Sequence, residues 1–445
     1  MNLRLGCDVG GTFTDFLIHN EVTGAISTLK VPTTPEAPED GVMHGLAILA
    51  VRHPGLMGNL TAVIHGTTLV INAIIERKGA ETALIATRGF RDILEPRREI
   101  RYDIYDIRQR FPAPLVPRRR RREVTERMLA DGTVDTPLDE KQALATLREL
   151  VAEGVTSVAV CLIHAYANPG HEKAIEKLVR DHDLPLDVSL SSKVLPEIQE
   201  FERTATTAIN AYVRPKVNTY LGQMEARLAH AGYARPLFLM QSGGGIIAAP
   251  AARAAPVRLA ESGPVGGALA SRALAEAAGY MDAIAFDMGG TTAKICLISG
   301  GEMPITRAYE VDRVHRFKKG SGTPIAVPTV DLIEIGAGGG SFVSVDTLGL
   351  IRIGPESAAA DPGPACYGRG GTRATVTDAN LLLGYLDPAD FLAGAMQLDV
   401  KAAEQAIAHD VGAPLGLSPR QAAAAMIEVV NENMAQAARM YVAER

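Results

Sequence analysis

Two short stretches of this chain place residue types where phosphate chemistry could occur. Asp8-Val9-Gly10-Gly11-Thr12-Phe13-Thr14-Asp15 closes an apolar run and opens another, 16–18. The pattern predicts a β-hairpin with glycines at its turn. Glycines let backbone N–H groups approach an anion, the hydroxyls of Thr12 and Thr14 add donors, and Asp8 at the strand end can hold Mg²⁺ directly or through water. A tight turn without a ligand is the plainer reading of one such segment. The motif recurs, however, 279 positions further on as Asp287-Met288-Gly289-Gly290-Thr291-Thr292-Ala293-Lys294, again between apolar runs. Two copies predict two related lobes whose phosphate loops face each other across a cleft. The copies differ where Lys294 replaces Asp15 and Ala293 replaces Thr14. Lys294 is either a point charge for a phosphate or a solvated strand residue.

Between and beyond these motifs lie further candidates. His65-Gly66-Thr67-Thr68 falls at a predicted strand-to-helix junction, where free amides and hydroxyls favour an anion or simply cap the helix. A helix is predicted from about 195 to Tyr212, with a second beginning at Pro215 and running through 231. Glu200, Glu202 and Arg203 are either dipole partners in its first turn or cleft-lining residues. The 241–245 glycine loop and the 261–264 segment, which starts a helix over 265–278, are expected to line the cleft, with plain turn and cap chemistry as the alternative. The run Gly336-Ala337-Gly338-Gly339-Gly340-Ser341 offers a backbone-rich surface able to close over a phosphate or a small ring, with Asp331, Asp361 and Asp378 nearby.

The elements that must position these residues alternate strand and helix patterns, which predicts α/β layers. With 445 residues, 47% hydrophobic and 22% charged, the chain is long enough for two or three domains. The expected divisions are 1–185 with the first phosphate loop, 186–280 with linking helices and cleft loops, and 281–445 with the second phosphate loop. A net charge of −6 gives no reason to expect a nucleic-acid partner. Arg118 to Arg122 reads as a solvated loop or an interface strand. Cys7, Cys161, Cys296 and Cys366 lie far apart, as expected of reduced core thiols. The amino terminus has no signal-peptide pattern and no apolar run approaches a membrane span, so a cytoplasmic protein is expected.

Taken together, 8–15, 65–68 with Asn72 and Ala73, 201–204 with 210–212, 287–294 and the glycine-rich 336–371 region resemble the hydantoinase A, 5-oxoprolinase and acetone carboxylase family, essentially end to end. The resemblance implies a two-lobed, actin-like (ribonuclease H-like) ATPase architecture using ATP and Mg²⁺. It implies that Asp8 and Asp287 are catalytic and hold the metal, with His65 as acid/base or substrate donor. Gly10, Gly11, Thr12, Thr14, Asp15, Gly289, Gly290, Thr291, Thr292 and Lys294 would surround the nucleotide phosphates. Thr67, Thr68, Gly338, Gly339 and Gly340 would border the substrate. The implied reaction is ring opening of a hydantoin, N-methylhydantoin or 5-oxoproline through phosphorylation of the amide oxygen, completed with a hydantoinase B-type subunit. A ketone carboxylase subunit, a sugar or small-polyol kinase and a nucleotide-gated regulatory ATPase are the alternatives. Family members continue past the final predicted helix, 420–444, so the second lobe is expected to be incomplete.

Overall fold

The computed structural model describes residues 2–34, 37–307, 309–315, 318–392 and 394–445. A six-stranded sheet contains, in spatial order, Ile246–Ala248, Leu237–Met240, Leu60–Thr67, Leu3–Val9, Phe13–Asn20 and Ile26–Pro32. The Leu3–Val9 strand pairs in parallel with Leu60–Thr67 and antiparallel with Phe13–Asn20. Its alternation decides which face does what. Leu3, Leu5, Cys7 and Val9 point into a core shared with the Pro38–Arg52 and Glu200–His230 helices. Gly6 and Asp8 therefore lie on the opposite face, and the parallel register sets Asp8 beside Gly66.

Glu200–His230 is one helix of 31 residues with Pro215 inside it, which corrects the two helices expected from the proline. Proline deprives the carbonyl four residues back of its helical donor. Here Ser157 Oγ donates to the Ala211 carbonyl at 2.7 Å, and the Ala80 amide donates to the neighbouring Tyr212 carbonyl at 2.8 Å. Tertiary donors thus replace what the ring removes. Against the other side of this helix lies an all-parallel four-stranded sheet, ordered Asp187–Leu190, Ser157–Cys161, Thr82–Thr87 and Arg121–Val124. Four of the consecutive arginines are matched to acids along its edge: Arg118 to Asp92, Arg120 to Glu81, Arg121 to Glu95 and Arg122 to Glu153.

The second hairpin, Ala283–Met288 with Ala293–Ile298, forms a three-stranded sheet with Ile333–Ile335. The Ser262–Ala277 helix covers one face, placing Val265 and Ala268 on Ala285, Cys296 and Ile298. The Pro419–Ala443 helix covers the other through Met426, Val430 and Met434 against Ile295 and Ile335. All four cysteines are free and buried. Among the described residues no helix is long and apolar enough to cross a membrane.

If Ser157 compensates for Pro215, Ser157→Ala should cost roughly 1–3 kcal/mol, the penalty for an unsatisfied buried carbonyl. In a Pro215→Ala background the helix regains its own donor and the same substitution should cost less. Urea denaturation of the four proteins of that cycle reads the difference.

Candidate functional site

The two glycine-turn hairpins are built alike. Asp8 pairs with Asp15 and Val9 with Thr14 in the first, and Asp287 pairs with Lys294 and Met288 with Ala293 in the second. The Gly10 amide donates to the Phe13 carbonyl at 3.0 Å, and the Gly289 amide donates to the Thr292 carbonyl at 2.9 Å. The turns also meet, since a Cβ on Gly290 would stand 2.4 Å from Thr12 Oγ1.

Both aspartates lie against the Ser262–Ala277 helix. A Cβ at Gly263 would come within 2.9 Å of Asp8 Oδ1, and one at Gly267 within 3.0 Å of Asp287 Oδ2. Residues four apart share a helix face, so the carboxylates are offset by about one turn, on the order of 6 Å along the axis. Gly66 closes the other side of Asp8, with its hypothetical Cβ 2.6 Å from Oδ1. Ser262 fastens the helix start to the first sheet, accepting from the Thr67 amide at 3.0 Å and donating to the Thr67 carbonyl at 2.8 Å.

This close fit has an electrostatic consequence. Burial pushes the Asp8 carboxyl up to about 6, the charges of Asp15 and Asp287 add to the rise, and Lys30 opposes it. Among the described residues Asp8 Oδ1 is buried without a hydrogen-bond partner. The helix start supplies partial positive charge nearby. Among the described residues no group of three or more His, Cys, Asp or Glu side chains converges on a point. An Asp8–Asp287 pair suits Mg²⁺, which takes one or two carboxylates together with phosphate oxygens and water.

Comparison with known proteins places the chain. The hydantoinase/oxoprolinase profile matches residues 203–445, and the profile of that family's N-terminal region matches 4–183. The chain belongs to the hydantoinase/oxoprolinase family. A protein of Methanocaldococcus jannaschii is 38% identical over all of this chain and 65% of its own length. Caprolactamase subunit alpha of Pseudomonas jessenii is 35% identical over 99% of this chain and 63% of its own. The nucleotide-free acetone carboxylase structure aligns at a TM-score of 0.85 and 29% identity, over 99% of this chain and 63% of that one. The chain thus spans less than two thirds of each of these relatives.

Several residues that family membership brings into question have their hydrogen bonds committed elsewhere. His65 is 2% exposed, with Nδ1 3.0 Å from the Cys7 carbonyl and Nε2 2.8 Å from Tyr220 Oη. A carbonyl only accepts, so Nδ1 carries the proton and Nε2 accepts from the tyrosine. Burial lowers its pKa to about 4. This neutral imidazole joins the sheet to the long helix.

Thr67 Oγ1 accepts from the Leu69 amide at 3.1 Å, while Thr68 Oγ1 donates to the Val9 carbonyl at 3.3 Å. Thr14 Oγ1 lies 3.0 Å from Thr33 Oγ1. Asp15 pairs with Lys30 at 2.6 Å. Lys294 sits 3.2 Å from both Glu261 and Glu334. Burial works against its charge, but the two carboxylates hold its pKa above the usual lysine value.

The glycine run braces the second turn. Gly339 and Gly340 donate to the carbonyls of Gly289 and Gly290 at 3.0 and 2.6 Å, and the Gly338 amide donates to Ser341 Oγ at 2.9 Å. Asp378 is a buried capping residue, bonded to the Cys366 and Thr375 amides. Asp331 pairs with Arg445. Sequence reading passed over Gly266, Gly267, Lys30, Glu334 and Tyr220. Only the helix-start signal at 261–264 pointed toward the first two, and strand register places Lys30 and Glu334.

Two opposite pH dependences follow in metal-free buffer. Asp8 has a raised folded-state pKa, so the stability it confers is complete below about pH 4 and lost as pH rises through 6. Asp8→Asn should therefore gain on the wild type with rising pH, by roughly 1–3 kcal/mol at pH 7.5, with the gap closing by pH 4. His65 has a lowered folded-state pKa, so its contribution is present above about pH 6.5 and lost on acidification toward 4. That loss should be on the order of 3 kcal/mol. Chemical denaturation at half-unit pH intervals checks both.

Proposed function

We propose that this chain carries the phosphate-binding core of an ATP-dependent enzyme that phosphorylates the amide oxygen of a cyclic amide and so lets water open the ring. The observation that carries the reading is the pair of register-matched hairpins whose aspartates converge on one helix start. That arrangement, with a sheet in which the first hairpin lies beside a parallel strand, supports a two-lobed actin-like architecture. Phosphoryl transfer depends on positioning and charge neutralisation more than on covalent help. Mg²⁺ held by Asp8 and Asp287 would neutralise the phosphates, and ATP would supply the phosphoryl group.

The protein's own residues supply the rest. The buried Asp8 oxygen, unpartnered among the described residues, is preorganised for a cation, and glycines at 66, 263 and 267 let the two carboxylates lie where a Cβ would collide with them. The turns would offer the phosphates the amides of Gly11, Thr12, Gly290 and Thr291, since those of Gly10 and Gly289 are bonded within their own hairpins. Lys294 acts at one remove, holding the second hairpin to Glu261 at the helix start. The caprolactamase match favours a lactam substrate for this chain, and the hydantoinase/oxoprolinase family allows a hydantoin. The acetone carboxylase match favours a second reading, phosphorylation of a carbonyl oxygen for ketone carboxylation. A hydantoinase B-type subunit would complete either reaction, in a cytoplasmic assembly.

Calorimetric titration with Mg·ATP should show saturable binding that Asp8→Ala lowers by at least about tenfold, the loss of one charge-assisted contact. Equal binding by both proteins would remove Asp8 from the site. ATP turnover stimulated by lactams or hydantoins would select the first reading. Stimulation only by ketone with bicarbonate would select the second.

A further inference from the structure

Glu261 stands immediately before the Ser262–Ala277 helix, where a polar side chain commonly accepts from the first free amides of the helix. Among the described residues its carboxylate makes no such bond. The residue is 3% exposed, and its two oxygens are taken by side chains from other parts of the chain. Lys294 Nζ donates to Oε2 at 3.2 Å, and Tyr309 Oη donates to Oε1.

The two donors belong to different cores. Lys294 lies on the second hairpin, whereas Tyr309 opens a short strand, Tyr309–Val311, that pairs antiparallel with Thr323–Ile325. This ribbon follows the second hairpin in sequence yet packs with the first core, in which Val311 and Ile325 are buried and against which Tyr309 lies. It is pinned there on both sides. The Ala326 amide donates to Thr206 Oγ1 of the Glu200–His230 helix at 3.1 Å, and Asp312 pairs with Arg77 at 2.6 Å. Burial and the neighbouring Glu261 push the Tyr309 hydroxyl well above the usual tyrosine range, so it stays a neutral donor. A hydroxyl bonded to a carboxylate is among the stronger hydrogen bonds.

The Glu261 carboxylate is thus a junction between the first core and the second hairpin, one residue before Ser262 bonds Thr67 and two before Gly263 meets Asp8. Because Asp8 and Asp287 lie against Gly263 and Gly267 of the same helix, whatever seats the helix start also sets how the two aspartates stand to each other. Misplacement of about 1 Å can cost on the order of a hundredfold at a reacting centre.

We propose that Tyr309 is a positioning residue of the phosphate site, which acts through Glu261 to seat the helix start against the first core. The inference rests on the reading of Asp8 and Asp287 as the Mg·ATP site. Tyr309 itself supplies no ligand to the nucleotide.

Tyr309→Phe keeps the ring and removes the hydroxyl. Calorimetric titration of the whole chain with Mg·ATP, at a temperature where circular dichroism shows every variant native, should find its affinity lowered roughly three- to thirtyfold. Tyr233 is the control for a merely structural loss, since its hydroxyl donates to the Pro236 carbonyl at 2.9 Å and accepts from the Val63 amide at 3.0 Å without touching Glu261. Tyr233→Phe should lower the urea midpoint and leave the affinity unchanged. In a Glu261→Ala background, Tyr309→Phe should weaken binding no further, because its route to the site is already gone; if that background does not fold, the two single tyrosine variants still decide. Wild-type affinity in Tyr309→Phe, an equal loss in Tyr233→Phe, or additive losses in the double variant would each overturn the inference while leaving the Mg·ATP site standing. Absence of Mg·ATP binding by the wild type would remove the site and the inference together.

Discussion

The start of the Ser262–Ala277 helix is the constraint on which the rest of this site depends. It is tied to the first sheet by the reciprocal Ser262–Thr67 hydrogen bonds and to the second hairpin by Glu261 and Lys294. Within its first two turns it passes both aspartates closely enough that only glycine fits at 263 and 267 without displacing a carboxylate. Two acidic groups from segments far apart in sequence are thereby held about one helical turn apart, on the order of 6 Å. Neither hairpin could bring that about alone.

Such an arrangement is electrostatically costly without a cation. Asp8 is desolvated and repelled by Asp15 and Asp287, and Lys30 offsets this in part. Carboxylates under this strain bind protons or cations more readily than solvated ones do. Elsewhere around the site Lys294 is paired with Glu261 and Glu334, and Asp15 with Lys30. Among the described residues Asp8 Oδ1 is buried with no hydrogen-bond partner.

The parts of the fold that could be read from sequence were those set by local pattern. The two hairpins follow from alternation around a Gly-Gly-Thr turn, and the repeat exposes their equivalence. Pro215 misled because a proline ends a helix only when the freed carbonyls lack donors, and Ser157 and Ala80 come from distant strands. The 338–340 glycines were expected to face a ligand because glycine leaves its amides accessible. In the structure those amides brace Gly289, Gly290 and Ser341 instead. His65 was expected as an acid/base or substrate donor; in the structure it is buried, with both ring nitrogens hydrogen-bonded, to the Cys7 carbonyl and Tyr220.

What the sequence by itself determined was the family and the pair of aspartate-bearing turns, since both depend on residue type and short-range spacing. Tertiary structure alone decided which charges cancel, which amides are occupied and which faces stay open. Leu5, Cys7 and Val9 are buried at 0%, 3% and 4%, while Ile284, Phe286 and Met288, at the same positions of the repeat, are 51%, 45% and 37% exposed. Equivalent patterns end in different environments because burial depends on what packs against a strand, and the residues that do so lie hundreds of positions away.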